Sequence, residues 1–181
     1  MTPTEATTGV FEIRPEQPSE CDAIDAVQEA AFGRRDEADL VLALREQASS
    51  GLSLVGLIEG QVAGHVFLSP LTIESRHPAP PAAALAPLGV HPDFQGSGLG
   101  GALLRAGLAA CPEQGWKAVF VIGNPSYYER FGFELAASRG FHYRSEAFDL
   151  VLQLKEATPG ALRGFAGSIR YHPAFAPHEE S

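Results

Sequence analysis

Cysteine is scarce in this chain: among 181 residues only Cys21 and Cys111 occur. Two thiols are too few for a disulfide framework, and these show no metal-ligand spacing. They read as reduced thiols of a cytoplasmic protein, with no bound metal expected. Positive charge is also in short supply, with 13 Lys and Arg against 22 Asp and Glu, for a net charge of −9. A surface of that sign repels nucleic acid and anionic membranes, so neither is expected as a partner, whereas a cationic substrate is tolerated. Long apolar runs are missing too; no stretch approaches the roughly 20 residues needed to cross a bilayer. The opening residues, MTPTEATTGV, lack the basic start and apolar core of a secretory signal. Residues 1–8 are expected to be a short mobile leader. No internal repeat is visible.

What is present suits one domain. Hydrophobic residues make up 45% and charged residues 19%, the balance of a globular protein with a real core. GVFEIRP alternates Val10, Glu12 and Arg14 against Phe11 and Ile13, as a short strand does. PSECDAIDAVQEAAFG opens with Pro18 and Ser19, repeats Ile24, Val27, Ala31 and Phe32 at helical spacing, and stops at Gly33. DEADLVLALREQA sets Leu40, Leu44 and Ala48 along one helical stripe. LSLVGLIEGQVAGHVFLSPLTIES reads as two strands joined at Glu59-Gly60. The proline-rich RHPAPPAA leads into a strand, ALAPLGV, in which Pro87 cannot donate a ladder hydrogen bond, so pairing should be irregular there. A helix from about Leu99 to Ala110 follows, apolar on nearly every side, with Arg105 its one charge. WKAVFVIG is a strand, NPSYYERFG a short helix capped by Asn124, and AFDLVLQLK a final alternating strand. This order specifies an α+β, or mixed α/β, fold around one sheet.

Between the ALAPLGV strand and the apolar helix lies VHPDFQGSGLGG, and glycines at such a junction let backbone N–H groups close on a phosphate. Three familiar readings fail. A Walker A loop ends in Gly-Lys-Ser/Thr, whereas Gly100 and Gly101 are followed by Ala102. Gly96-x-Gly98-x-x-Gly101 has the dinucleotide spacing, but HPDFQ delays the glycines after Val90 and no acid follows at the ribose position. A serine-nucleophile elbow requires Gly two residues before Ser97, where Gln95 stands.

Gln95-x-x-Gly98-x-Gly100, after a strand carrying Leu88 and Val90, resembles the pyrophosphate loop of the GNAT superfamily of acyl-CoA N-acyltransferases. That family's pattern is Gln/Arg-x-x-Gly-x-Gly/Ala. GNPSYYERFGFE looks like the family's later motif, GRRDEADLVLALRE like the second helix of one bacterial subgroup, and VAGHVFLSPL like its third strand. The resemblance covers residues 9–155 and implies a GNAT-like single domain. Its central, mostly antiparallel sheet would be splayed between two strands and flanked by about four helices. Residues 156–181 would be a C-terminal extension packed on that domain.

By the same resemblance the co-substrate is acetyl-CoA, and the reaction is transfer of its acetyl group to a primary amine of a small molecule or peptide. Leu88, Gly89 and Val90 would meet the pantetheine arm. Gln95, Gly96, Ser97, Gly98, Leu99 and Gly100 would ring the pyrophosphate, at the positive end of the following helix. Asn124, Tyr127 and Arg130 would also contact the cofactor, Arg130 at an adenosine phosphate. Tyr128 matches the general acid near the thioester sulfur; Tyr127, about 100° around the helix, cannot share that place. An oxyanion would take a backbone N–H near Val90. No glutamate lies on ALAPLGV to act as base, leaving ordered water or His142 as candidates. His65, beside Phe67, reads as a satisfied core histidine, and His91 as a shaper of the turn. The acidic group Asp36, Glu37 and Asp39 suits a helix start as well as a cationic amine. A non-catalytic acyl-CoA-binding sensor is the alternative, and a monomer or homodimer the expected assembly.

Overall fold

The short alternating segment at the start becomes β1 (Glu12–Pro15), an edge strand antiparallel to β2 (Leu52–Ile58). The computed structural model describes residues 10–178, so the leader expected at 1–8 and the last residues of the extension lie outside the described residues. β2 returns as β3 (Gln61–Glu74) through Glu59 and Gly60, at φ 51° and 77°. Two left-handed residues give the turn whose twist matches paired strands. β4 (Ala82–Val90) pairs antiparallel with β3, and β5 (Ala118–Ile122) lies parallel to β4. β8 (Leu152–Glu156) and the two-residue β6 (Glu134–Leu135) complete the order β1-β2-β3-β4-β5-β8-β6. Off that path, β9 (Gly167–Arg170) pairs with the far end of β3 and with β7 (Phe141–His142).

Two expectations need correction. AFDLVLQLK is not one strand: Glu146–Leu150 is a 3-10 turn, and extended structure begins at Leu152. The turn brings the Phe148 ring to 5.0 Å from Tyr143, a contact a straight strand would lose. Nor is it the last strand, because the C-terminal extension itself supplies β9.

The helices divide between the faces. α1 (Cys21–Phe32), closed by Gly33 at φ 70°, and α2 (Asp36–Gln47) bury Ile24, Leu40 and Leu44 against Val55, Phe120 and Leu154. On the other face α3 (Leu99–Ala110) buries Leu99, Leu103 and Leu104 against Leu54, Val66 and Val119. Period-two alternation sends Phe120 to one core and its neighbours Val119 and Val121 to the other. α3 is less enclosed than its apolar sequence suggests, since Arg105 and Ala109 are exposed.

The centre of the sheet opens. β4 and β5 are paired only at Ala82–Ala118, Ala83–Val119 and Ala84–Phe120. Past that point the β3–β4 register steps from Leu68–Leu85 to Val66–Leu88, so Ala86 and Pro87 both oppose Phe67. Such a two-against-one bulge bends the strand that carries it, and Pro87, without an N–H, sits where no ladder bond is needed.

A polar chain runs behind β4. Gln28 Nε2 donates to His65 Nδ1 at 2.8 Å. His65 Nε2 then carries the proton and donates to Ser53 Oγ at 2.7 Å, and Ser53 donates to Glu16 at 2.5 Å. Arg45 closes the chain with two bonds to Glu16, of 2.7 and 3.1 Å. Burial penalises the Glu16 carboxylate, but the bonds from Arg45 and Ser53 outweigh it and lower its pKa. His65 has no solvent exposure, and burial pushes its pKa down to about 3, against the pull of Glu16. The satisfied core histidine expected from sequence is thus a neutral imidazole. Between its free value near 6.5 and about 3, the unfolded chain takes up a proton that the folded chain refuses. The His65 contribution to stability is therefore complete above pH 6.5 and declines as pH falls. Urea melts should show a shallower loss of stability from pH 6.5 to 5 in His65→Gln than in the unmodified chain. At pH 7 that variant should be less stable by about 1–3 kcal/mol through buried groups left without partners.

Candidate active site

Where β4 leaves β5, its backbone acquires a free side. His91 N–H bonds to Ala63 O at 2.9 Å, so the antiparallel alternation turns Gly89 toward β3 as well. The amide groups of Leu88 and Val90 consequently face the gap left by β5. Gln95 Nε2 takes the Val90 carbonyl at 3.0 Å, so this side chain, expected at the phosphate, clamps the loop to the strand. Gly89 points the other way: a Cβ there would lie 2.5 Å from Gln28 Oε1. The strand that opens toward the gap is thus seated on the His65 chain.

At the end of β4 the loop forms a nest. Gly96 and Gly98 have φ of 77° and 91°, conformations that L side chains rarely adopt. Ser97 N–H goes to Phe94 O at 3.4 Å, and Leu99 N–H to Ser97 Oγ at 3.4 Å, so these two expected donors are engaged within the loop. The N–H groups of Gly96, Gly98, Gly100 and Gly101 have no acceptor among the described residues. The last three converge at the positive end of α3. A cavity of about 440 Å³ lies over them, walled by Val90, Gln95 and Tyr127 and rimmed by Arg105 and Arg130. Arg130 stacks on Tyr127 at 4.7 Å, and Arg105 lies over Phe131 at 5.4 Å. Two cations stand at the rim of a nest of amide donors, which is a site for a multiply charged anion. Arg105 was not singled out from sequence, although a lone charge four residues after Gly101 shares its helix face. His91 accepts a bond from Asp93 N–H at 3.2 Å, in keeping with a role in shaping the turn.

Tyr127 divides this cavity from a second one of about 580 Å³, which holds Leu88, Asn124 and Tyr128. α4 (Pro125–Tyr128) begins at Asn124, whose Oδ1 accepts from Ser126 N–H at 3.0 Å. The two tyrosine rings are nearly perpendicular, 5.0 Å apart; Tyr127 lines both cavities and Tyr128 only the second. Burial, and then the neighbouring Tyr127, push the Tyr128 phenol up to about 12, and its hydroxyl makes no hydrogen bond among the described residues. Gly123 makes room for it, since a Cβ there would lie 2.5 Å from Tyr128 Cε2. His142 is held elsewhere, 2.9 Å from Asp149 on the surface, and does not line this cavity. Glu37 does, together with Phe32 and Leu40. The sequence offered Glu37 as one of three acids suited to a helix start or a cationic amine, and nothing in its spacing places it in one cavity with Tyr128.

The model of the "Acetyltransferase (GNAT) domain" family matches residues 12–136, more than half of the chain. The chain belongs to the GNAT acetyltransferase family. It is 37% identical over 164 residues to the "Uncharacterized N-acetyltransferase YhbS" of Escherichia coli (strain K12), covering 90% of this chain and 97% of that protein. The crystal structure of the E. coli YhbS protein in complex with CoA superposes with a TM-score of 0.85 at 34% identity, over 97% of this chain and 95% of that one. A GNAT family acetyltransferase from Brucella melitensis, in complex with acetyl-CoA, gives 0.74 at 32% identity, over 92% and 99%. GNAT acetyltransferases act on amine acceptors, and the mixed sheet matches the fold of GNAT structures. Among the described residues no group of three or more His, Cys, Asp or Glu is placed to hold a metal ion, and no helix is long and apolar enough to cross a membrane.

The nest makes a direct prediction for this GNAT domain. Gly98→Ala puts a side chain at a left-handed position and should cost roughly 1–2 kcal/mol of stability in a chemical melt. Its rise in melting temperature on adding CoA should also be smaller than that of the unmodified chain.

Proposed function

We propose that this chain is an N-acetyltransferase that binds acetyl-CoA along β4 and in the glycine nest and passes the acetyl group to a primary amine, with Tyr128 as general acid. The observation that carries the reading is the position of the Tyr128 phenol. It lies in the second cavity, next to the free side of β4, and only Tyr127 separates it from the anion site.

The residues suit the co-substrate. The amides of Gly98, Gly100 and Gly101 would receive the pyrophosphate, with Arg105 and Arg130 as counter-charges for the remaining phosphate. Glycine at 100 keeps the cradle open, since a Cβ there would come to 3.1 Å from the Tyr127 hydroxyl. Leu88 and Val90 would offer the pantetheine arm their amide groups in place of the missing β5 ladder. Asn124, already capping α4, has its side-chain NH2 left for that arm.

The thioester supplies the acyl group. The acceptor nitrogen bonds to the acyl carbon as the carbon–sulfur bond breaks, and Tyr128 gives its proton to the departing sulfur. The proton lost by nitrogen returns to solvent, and solvent restores the phenol. A phenol with its pKa near 12 stays protonated at every physiological pH, as a donor must. The absence of a glutamate from β4 leaves amine deprotonation to water or to the carboxylate across the cavity. Both cysteines are free, in keeping with a cytoplasmic protein, monomeric or homodimeric.

Calorimetry should detect acetyl-CoA binding, and a thiol-release assay should detect turnover with an amine panel. Tight binding without transfer to any amine would leave only a sensor. Tyr128→Phe should lower kcat about 10²-fold or more and leave acetyl-CoA affinity unchanged. Gly123→Ala, which displaces the same ring, should also lower kcat. Because Tyr128 titrates only near 12, kcat should show no falling alkaline limb up to pH 10. A Tyr128→Phe enzyme with full turnover at all pH values would remove the general acid.

A further inference from the structure

The second cavity continues away from the cofactor strand. It shares Ala86 and Ile122 with a further cavity of about 300 Å³, and Glu37 and Leu40 with a smaller one of about 100 Å³. Those two share Phe175 and His178. The three therefore adjoin through shared walls, and Tyr128 lines the one beside the cofactor strand.

The composition of these walls is uneven. Phe148, Tyr143, Tyr171 and Phe175, in that order, make a continuous aromatic face, with successive ring centroids 5.0, 5.0 and 4.9 Å apart and steeply tilted planes. Phe32 in the Tyr128 cavity and Ile122 in both that cavity and the one with the rings stand 42% and 37% exposed, apolar surface left in these walls. Rings together with uncovered apolar side chains bind a flat apolar body.

Charged groups interrupt this apolar lining: Asp36, Glu37 and Arg34 in the smaller cavity and Arg144 beside the rings, and of the carboxylates only Glu37 also lines the cavity of Tyr128. Glu37 lines both the cavity of Tyr128 and the smaller one, and its side chain is only 13% exposed. Arg34, which holds it at 2.8 and 3.2 Å, is 50% exposed and lines the smaller cavity but not that of Tyr128. A carboxylate has about four lone-pair sites, and Arg34 uses two. The rest are available to an ammonium.

We propose that the acceptor is a small primary amine carried on a flat, aromatic body, its ammonium attracted by Glu37 and its ring lodged against the Tyr143–Phe175 face. This rests on the acetyl-transfer reading above. Glu37 acts here as a binding residue that sets specificity. A linear polyamine would meet one carboxylate in the cavity of Tyr128 and leave the ring face unused. A peptide would need backbone partners that an aromatic face does not offer.

The test compares 2-phenylethylamine and tryptamine with cadaverine, spermidine and an alanine-terminated tripeptide, using thiol release and calorimetry on the CoA complex. The arylalkylamines should show kcat/KM at least tenfold above the others. Glu37→Gln should raise their KM about tenfold with CoA affinity unchanged, and Phe175→Ala should shrink the preference over cadaverine. Loss of CoA binding would count against the cofactor reading itself. With CoA bound, a preference for spermidine or the peptide overturns the acceptor assignment. So does failure of 2-phenylethylamine and tryptamine to bind the CoA complex, a readout that needs no turnover.

Discussion

The site depends on a ladder that stops. β4 and β5 are paired through Ala84 and Phe120 and then part, inside a sheet that is otherwise continuous from β1 to β6. Backbone amides in such a position require other partners. The chain supplies one at the Val90 carbonyl, through Gln95, and leaves the strand around Leu88 open to the cavity. The bulge at Ala86 and Pro87 bends β4 away. The glycine nest closes the gap at the end of β4, and α4 closes it at the end of β5. Each of these devices would be a fault in an ordinary strand, and together they make a slot between two walls.

An open strand needs a rigid back, and the Gln28–His65–Ser53–Glu16–Arg45 chain provides it. It joins α1, β3, β2, the segment after β1, and α2 beneath the residues that face the slot. Keeping the histidine neutral avoids a buried charge, and hydrogen bonds on both ring nitrogens fix its tautomer. Gly89 touches this chain on one side while its neighbours Leu88 and Val90 serve the other. A side chain at 89 would push on Gln28 and so on the whole assembly.

The cofactor half of the site was legible in the sequence because its signals are local. Glycines at 96, 98 and 100, Pro87 in a strand, and a Pro-Ser-Tyr-Tyr helix after a strand each have a conformational meaning within a few residues. The make-up of the proposed acceptor side was not, because it is assembled from separate segments: Phe32 to Leu40, Ala86 to Leu88, Ile122 to Tyr128, and the ring-bearing stretch from Tyr143 to Phe175. Glu37 illustrates the limit. Its place in the first turn of α2 was readable, and its neighbours across the cavity were not. β6, β7 and β9 escaped notice for a related reason, since strands of two to four residues are too short to alternate visibly. Their partners, not their own residues, define them. Arg105 had a signal that was passed over, a single charge on an otherwise apolar helix.

The pairing of β9 with β3 ties the last described part of the chain to one of the earlier strands. During synthesis, every residue of the anion nest and the tyrosine pair is present by Phe131. The ring face is incomplete until Tyr171 and Phe175 emerge and β9 docks. The ring face and the phosphate cradle therefore come from separable stretches of polypeptide. On the proposed reading, mutation in the late segment can reshape which amine is admitted without touching the phosphate cradle, so acceptor choice can drift in evolution while the handling of the acyl donor stays fixed.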